Sequence, residues 1–140
     1  MRQHVLDANA LLRLILNEDG ADMVVEVFKQ AHATDTPVMM SVVNWGEVYY
    51  TLAKRIGFLR TEQILSATQA KTGLSLVRVG PESIPKVARL KIQYNLHYGD
   101  CFAAELAGNQ RVLVTADAKD FERISKLRLL KLPPHRPQLQ

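Results

Sequence analysis

Short apolar runs alternate along this chain with longer segments whose apolar residues recur at helical spacing, and that alternation constrains the fold more than any other feature. A strand buried on both faces reads as an unbroken run of Val, Leu and Met, whereas a flanking helix shows a one-sided stripe. Alternating the two builds a parallel sheet wrapped by helices, because parallel neighbours need a long crossover between them. The runs predict strands over His4–Leu6, 38–42, 74–79, Val112–Thr115 and 127–131. Arg128 and Lys131 suit the last of these to an edge.

Helices are expected over 7–16, 21–32, 61–72 and 83–94, with two more starting near Asp100 and Asp117. The clearest stripe is Trp45, Val48, Tyr49, Leu52 and Ile56, stopped by Gly57. It fits a core face first and a dimer face second. Pro85 is tolerable only in the first turn of its helix. The expected architecture is a three-layer α/β/α domain with a short, mainly parallel sheet of about five strands, spanning residues 1–132. A tail over 133–140, containing Pro133-Pro134-His135-Arg136-Pro137, lacks a core-forming pattern. In such sheets ligands bind outside the carboxyl ends of the strands.

A length of 140 residues fits one domain. The single cysteine, Cys101, excludes an internal disulfide, and no CxxC or HxxxH spacing marks a zinc site. The first 20 residues hold an apolar patch broken by acids, with no small-residue cleavage site. It falls short of the ~18 apolar residues of a membrane span, so a cytoplasmic protein is expected. A net charge of +4 favours polyanionic partners.

The acids matter more for where they fall. Asp7 follows the first strand, Glu47 lies past the second and Asp117 follows the fourth, while Asp100 opens the helix leading into the fourth. Each has a structural explanation: Asp is a favoured helix cap, and Asn44 with Glu47, like Asp117 with Asp120, has capping-box spacing. Asp100 fits that explanation least, because Ala103, Ala104 and Ala107 continue its stripe. A carboxylate in line with a close-packing face is costly to bury unless paired or bound to a cation. Glu47 projects away from the aromatic stripe and joins a site only if its helix overhangs the strand tips.

Carboxylates gathered at one sheet edge must take up protons or a cation, since two charges ~5 Å apart repel by about 3 kcal/mol at an effective dielectric near 20. Mg2+ or Mn2+ suits an all-oxygen set. Such an ion can activate water, bind a phosphoryl oxygen and steady a leaving group.

At these residues the sequence resembles the PIN-domain family, and within it the ribonuclease toxins of VapBC-type toxin–antitoxin pairs. The markers are Val5-Leu6-Asp7-Ala8-Asn9, Ser41 followed by Asn44-Trp45-Gly46-Glu47-Val48, Asp100-Cys101-Phe102-Ala103-Ala104-Glu105-Leu106-Ala107, and Val114-Thr115-Ala116-Asp117-Ala118-Lys119-Asp120-Phe121. The resemblance covers nearly the whole chain, and none of the acidic positions departs from it. It implies a Mg2+- or Mn2+-dependent endoribonuclease, with Asp7 and Asp100 as principal metal ligands and Glu47 and Asp117 completing the site. Thr115 matches the family's site hydroxyl, with Ser41 and Asn9 as supporting partners. Water attack in line on the phosphate would leave 5′-phosphate and 3′-hydroxyl ends. A cognate antitoxin and a homodimer are implied as partners besides RNA.

Arg13, Lys54, Arg55, Arg60, Lys71, Lys119 and Arg123 are candidate RNA contacts, and His97 is the one histidine near a proposed site residue. A dehalogenase-like phosphatase needs DxDxT where the chain has Asp7-Ala8-Asn9-Ala10-Leu11, and the seven glycines form no phosphate-binding loop. A receiver-like switch needs an acceptor acid after the third strand, where Val79-Gly80-Pro81-Glu82 stands. The remaining alternative is a catalytically silent PIN-like module that binds RNA or protein.

Overall fold

The first strand becomes the centre of the sheet. In the computed structural model, which describes residues 2–134, the strands are β1 (His4–Leu6), β2 (Val38–Ser41), β3 (Ser75–Val77), β4 (Val112–Thr115) and β5 (Arg128–Lys131). Every pairing is parallel and the order is β3-β2-β1-β4-β5. The helices are α1 (Ala8–Ile15), α2 (Ala21–Ala33), α3 (Val42–Ile56), α4 (Phe58–Thr72), α5 (Ile84–Tyr94), α6 (Tyr98–Ala107) and the single turn α7 (Ala118–Phe121). Among the described residues no helix is long and apolar enough to cross a membrane.

Alternate strand residues feed two separate cores, which makes the molecule three-layered. Leu6, Val38, Met40 and Val114 pack with Leu11, Val24, Val48, Leu52 and Leu65 of α1–α4. Val5, Met39 and Leu113 face the other way, onto Val87 of α5 and Phe102, Ala103 and Ala107 of α6. Each fully buried Leu or Val contributes about 1.5–3 kcal/mol of transfer free energy. The stripe on α3 belongs to the first core: Val48 and Leu52 are buried, and Trp45 and Tyr49 pack against them.

The boundaries differ from expectation where a cap overrides an apolar run. β2 stops at Ser41 rather than 42, because the Ser41 hydroxyl accepts the Val43 N–H at 3.2 Å and turns the chain straight into α3. Asn44 is therefore inside the helix and not its cap. β3 is shorter than 74–79, and its half-exposed residues mark it as an edge. α4 begins at Phe58 rather than 61, since Gly57, at φ 83°, both ends α3 and starts α4. Phe58 and Leu59 are exposed, so no periodic stripe announced that turn. A 3-10 turn over Pro81–Ser83 precedes α5, and Pro85 lies in the first turn of α5 as required.

Arg13 is not a surface cation. It is 2% exposed, and its Nη1 donates to the carbonyls of Asp19 at 2.6 Å and Pro133 at 2.8 Å. It thus fastens the turn after α1 to the segment after β5. There the Leu132 N–H donates to the Thr115 carbonyl at 2.8 Å, and Pro133 closes over Gly20, where a Cβ would stand 3.0 Å from the proline ring. Residues 135–140 of the expected tail lie outside the described residues.

Candidate functional site

Asp7 leaves β1 at the centre of the sheet's carboxyl edge and is 2% exposed. Its carboxylate caps α1, accepting the Ala10 N–H at 2.8 Å, so the structural role read from sequence is real. Burial pushes its pKa up to about 7. The Thr115 hydroxyl and the Ala10 amide oppose that shift by hydrogen bonding to the ionised form, while the charges of Asp117 and Asp100 add to it. A cap on the surface would feel neither the burial nor the neighbouring acids.

Asp117 follows β4, the strand paired with β1. Its side chain caps nothing; it accepts the Asn9 amide at 3.2 Å. Its backbone N–H donates to the Thr115 hydroxyl oxygen at 2.9 Å. The fully buried Thr115 hydroxyl therefore ties the two central acids together, accepting from one backbone and donating to the other carboxylate. The expected Asp117–Asp120 capping box is not formed: only the backbone N–H of Asp120 reaches Asp117, at its carbonyl, 3.1 Å away.

Asp100 sits in the first turn of α6. Its pKa is raised to about 6, chiefly by burial, then by the charges of Glu47 and Asp117, with Asp120 adding to them. His97 opposes the shift, which places that imidazole in the electrostatic neighbourhood. Glu47 reaches the same place because α3 starts early and packs against α6. Its carboxylate lies over Gly99, in the space that a Cβ there would occupy. Asn44 donates to Glu47 Oε1 at 2.7 Å.

Asp7, Glu47, Asp100 and Asp117 thus form one electrostatic neighbourhood at the carboxyl ends of the strands, with Thr115 and Asn9 among them. Ser41 remains a helix cap. Among the candidate cations, Arg13 is buried in the clasp described above, and Arg123 donates to the Tyr94 carbonyl at 2.6 Å. Lys54, Arg55, Arg60, Lys71 and Lys119 are exposed.

Among the described residues no three His, Cys, Asp or Glu side chains converge into a preformed metal cage. The donor set nevertheless fits magnesium or manganese. All its ligating atoms are oxygens, and two of its acids are held partly protonated by burial and mutual repulsion, which a cation would relieve. Magnesium usually binds through one or two carboxylates and keeps several waters, so three converging side chains are not required.

Asn44 and Gly99 carry contacts that sequence reasoning did not assign. The i,i+3 spacing of Asn44 and Glu47 was visible, but as a cap; Gly99 stood next to Asp100 without any sign that another helix's carboxylate would occupy its Cβ position.

A family model described as the PIN domain matches residues 4–127. No curated protein matches the chain in sequence. Similar solved structures include VapBC2 from Rickettsia felis bound to a DNA fragment from its promoter, at 18% identity and TM-score 0.76, covering 92% of this chain and 98% of that one. DNA-bound VapBC from Salmonella typhimurium gives 19% identity, a TM-score of 0.70 and coverage of 94% and 98%. VapC20 from Mycobacterium tuberculosis, a toxin that cleaves the sarcin–ricin loop, gives 15% identity, a TM-score of 0.60 and coverage of 89% and 98%. These likenesses establish a shared fold.

Proposed function

The chain belongs to the PIN-domain family, and from that membership and the grouping of its acids we propose that it is a Mg2+- or Mn2+-dependent endoribonuclease, the toxin of a VapBC-type toxin–antitoxin pair. The observation that carries the reading is the coupling of Asp7 and Asp100, acids from opposite ends of the chain, each with a pKa raised in part by other members of the same group. Carboxylates kept for helix capping alone need not face one another.

Asp7 and Asp100 would hold the cation, with Glu47 and Asp117 completing the site directly or through water. When bound, the ion lowers the pKa of a coordinated water and offsets charge on the scissile phosphate. Thr115 keeps Asp7 oriented and favours its ionised form. Asn9 steadies Asp117. The exposed cations Lys54, Arg55, Arg60, Lys71 and Lys119 are the candidates for contact with the phosphate backbone, a contact that would position RNA without reading its sequence. An antitoxin is the proposed protein partner, because structural neighbours of this chain are VapBC complexes; a homodimer acting in the cytoplasm completes the proposal.

The test is incubation of purified protein with mixed cellular RNA, with and without Mg2+ or Mn2+, beside Asp100→Asn. Discrete fragments bearing 5′-phosphates, dependent on the cation and missing in the variant, are expected. Cleavage in EDTA, or equal cleavage by the variant, contradicts the assignment. RNA binding without cleavage under any cation identifies a silent binding module instead.

A further inference from the structure

Asn44 is fully buried in the first turn of α3, and its amide nitrogen serves two elements at once. It donates to Glu47 Oε1 at 2.7 Å within its own helix and to the Gly99 carbonyl of α6 at 2.9 Å. Both neighbours are acceptors only, so the nitrogen must face them and the amide has one orientation. Its other end, Oδ1, is buried and finds no donor among the described residues. Gly99 supplies the complementary half of the arrangement, because a Cβ there would displace the Glu47 carboxylate from its present position. The residue after Gly99 is Asp100.

We propose that Asn44 is a positioning residue: it bridges α3 and α6 so that the Glu47 carboxylate is held against the first turn of α6, at a set separation from Asp100, and the two acids meet a divalent cation together. The inference rests on the reading given under Proposed function. Without the bridge, Glu47 is free to swing toward solvent, and the site loses an acid without losing a residue. Partners that orient a metal's ligands typically change affinity or activity 10–100-fold when removed.

The experiment uses the full chain and Mn2+ as probe. Calorimetric Mn2+ affinity, melting temperature in EDTA, and RNA cleavage over a Mn2+ titration are compared for wild type, Asn44→Leu, Glu47→Gln and the double variant. Asn44→Leu is expected to weaken Mn2+ binding about 10-fold. Its cleavage should recover substantially at high Mn2+, and the double variant should bind Mn2+ no more weakly than Glu47→Gln alone. Gly99→Ala, which displaces the same carboxylate from the other side, should give the same Mn2+ defect, and it decides the matter if Asn44→Leu does not fold. Unchanged Mn2+ affinity in the variants overturns the proposal. So does a loss that adds fully to that of Glu47→Gln, or a lower melting temperature as the sole effect. If wild type binds Mn2+ and cuts RNA while these variants match it, only the positioning role falls; if wild type does neither, the functional reading falls with it.

Discussion

Asp7 carries opposite instructions for stability and for chemistry. Asp7 is buried with a pKa near 7 against an ordinary 3.8, so the folded protein binds a proton that the unfolded chain has released. Its contribution is fully present below pH 3.8 and is lost as the pH rises through about 7. The loss is on the order of 4 kcal/mol, from 1.36 kcal/mol for each pKa unit. Urea denaturation in EDTA at pH 5 and pH 8 should therefore show a weaker protein at the higher pH. Asp7→Asn should remove most of that difference while keeping the α1 cap, since Asn caps as well as Asp, and should abolish stabilisation by Mn2+. At the same scale, Thr115→Val removes the hydroxyl that favours ionised Asp7 and accepts the Asp117 amide. A shift of the cation-dependent pH–activity profile to higher pH is expected, with activity at pH 7 falling about 10-fold or more; an unchanged profile would mean the hydroxyl is only structural. The acids were legible one by one in sequence, each directly after a strand or opening a helix. What was not legible was the traffic between them, since Asn9 meets Asp117 across 108 positions and no local pattern encodes that.

Elements were read well where an apolar stripe had a core to face, and less well where a cap or an exposed apolar turn set the boundary. β1 and β4 fall on their expected residues because both are short runs buried between two layers. The start of α3 was missed because Val42 and Val43 continue the apolar run of β2, while the Ser41 cap had already ended the strand. That displacement of the helix start puts Glu47 over α6. Arg13 was misread for a related reason: a cation on a short helix reads as solvated, and only the fold shows the segment after β5 closing over it. Arg13→Met should lower stability by about 2–4 kcal/mol in denaturant titration, because hydrogen bonds from a charged group to two carbonyls are lost. The same variant should leave the salt dependence of RNA binding unaltered, as expected of a residue that never meets phosphate. A flattened salt slope would return Arg13 to the RNA surface.

Over the whole molecule, the sheet order β3-β2-β1-β4-β5 puts a change of direction at β1, with the earlier strands on one side and the later ones on the other. Ligand sites of open parallel sheets form at such a point, and Asp7 and Asp117 stand on the two strands that meet there. The chain as a whole carries a net charge of +4 despite this acidic notch, so on the proposed function RNA would be drawn to the molecule and repelled by the notch until a cation enters. Binding of single-stranded RNA by Asp100→Asn, which keeps the basic surface, should weaken steeply with salt, with a log–log slope of about −0.7 for each phosphate contact; salt-insensitive binding would argue against an electrostatic footprint. β1 is also synthesised long before its neighbour β4, whose Val112 pairs with His4. At roughly 5–20 residues per second, about five to twenty seconds of translation separate them. During that interval a ribosome-borne chain owns Asp7, and later Glu47, but has no Asp117 to set beside them. Throughout that interval the template being read is not faced by a finished notch on the growing chain that it encodes.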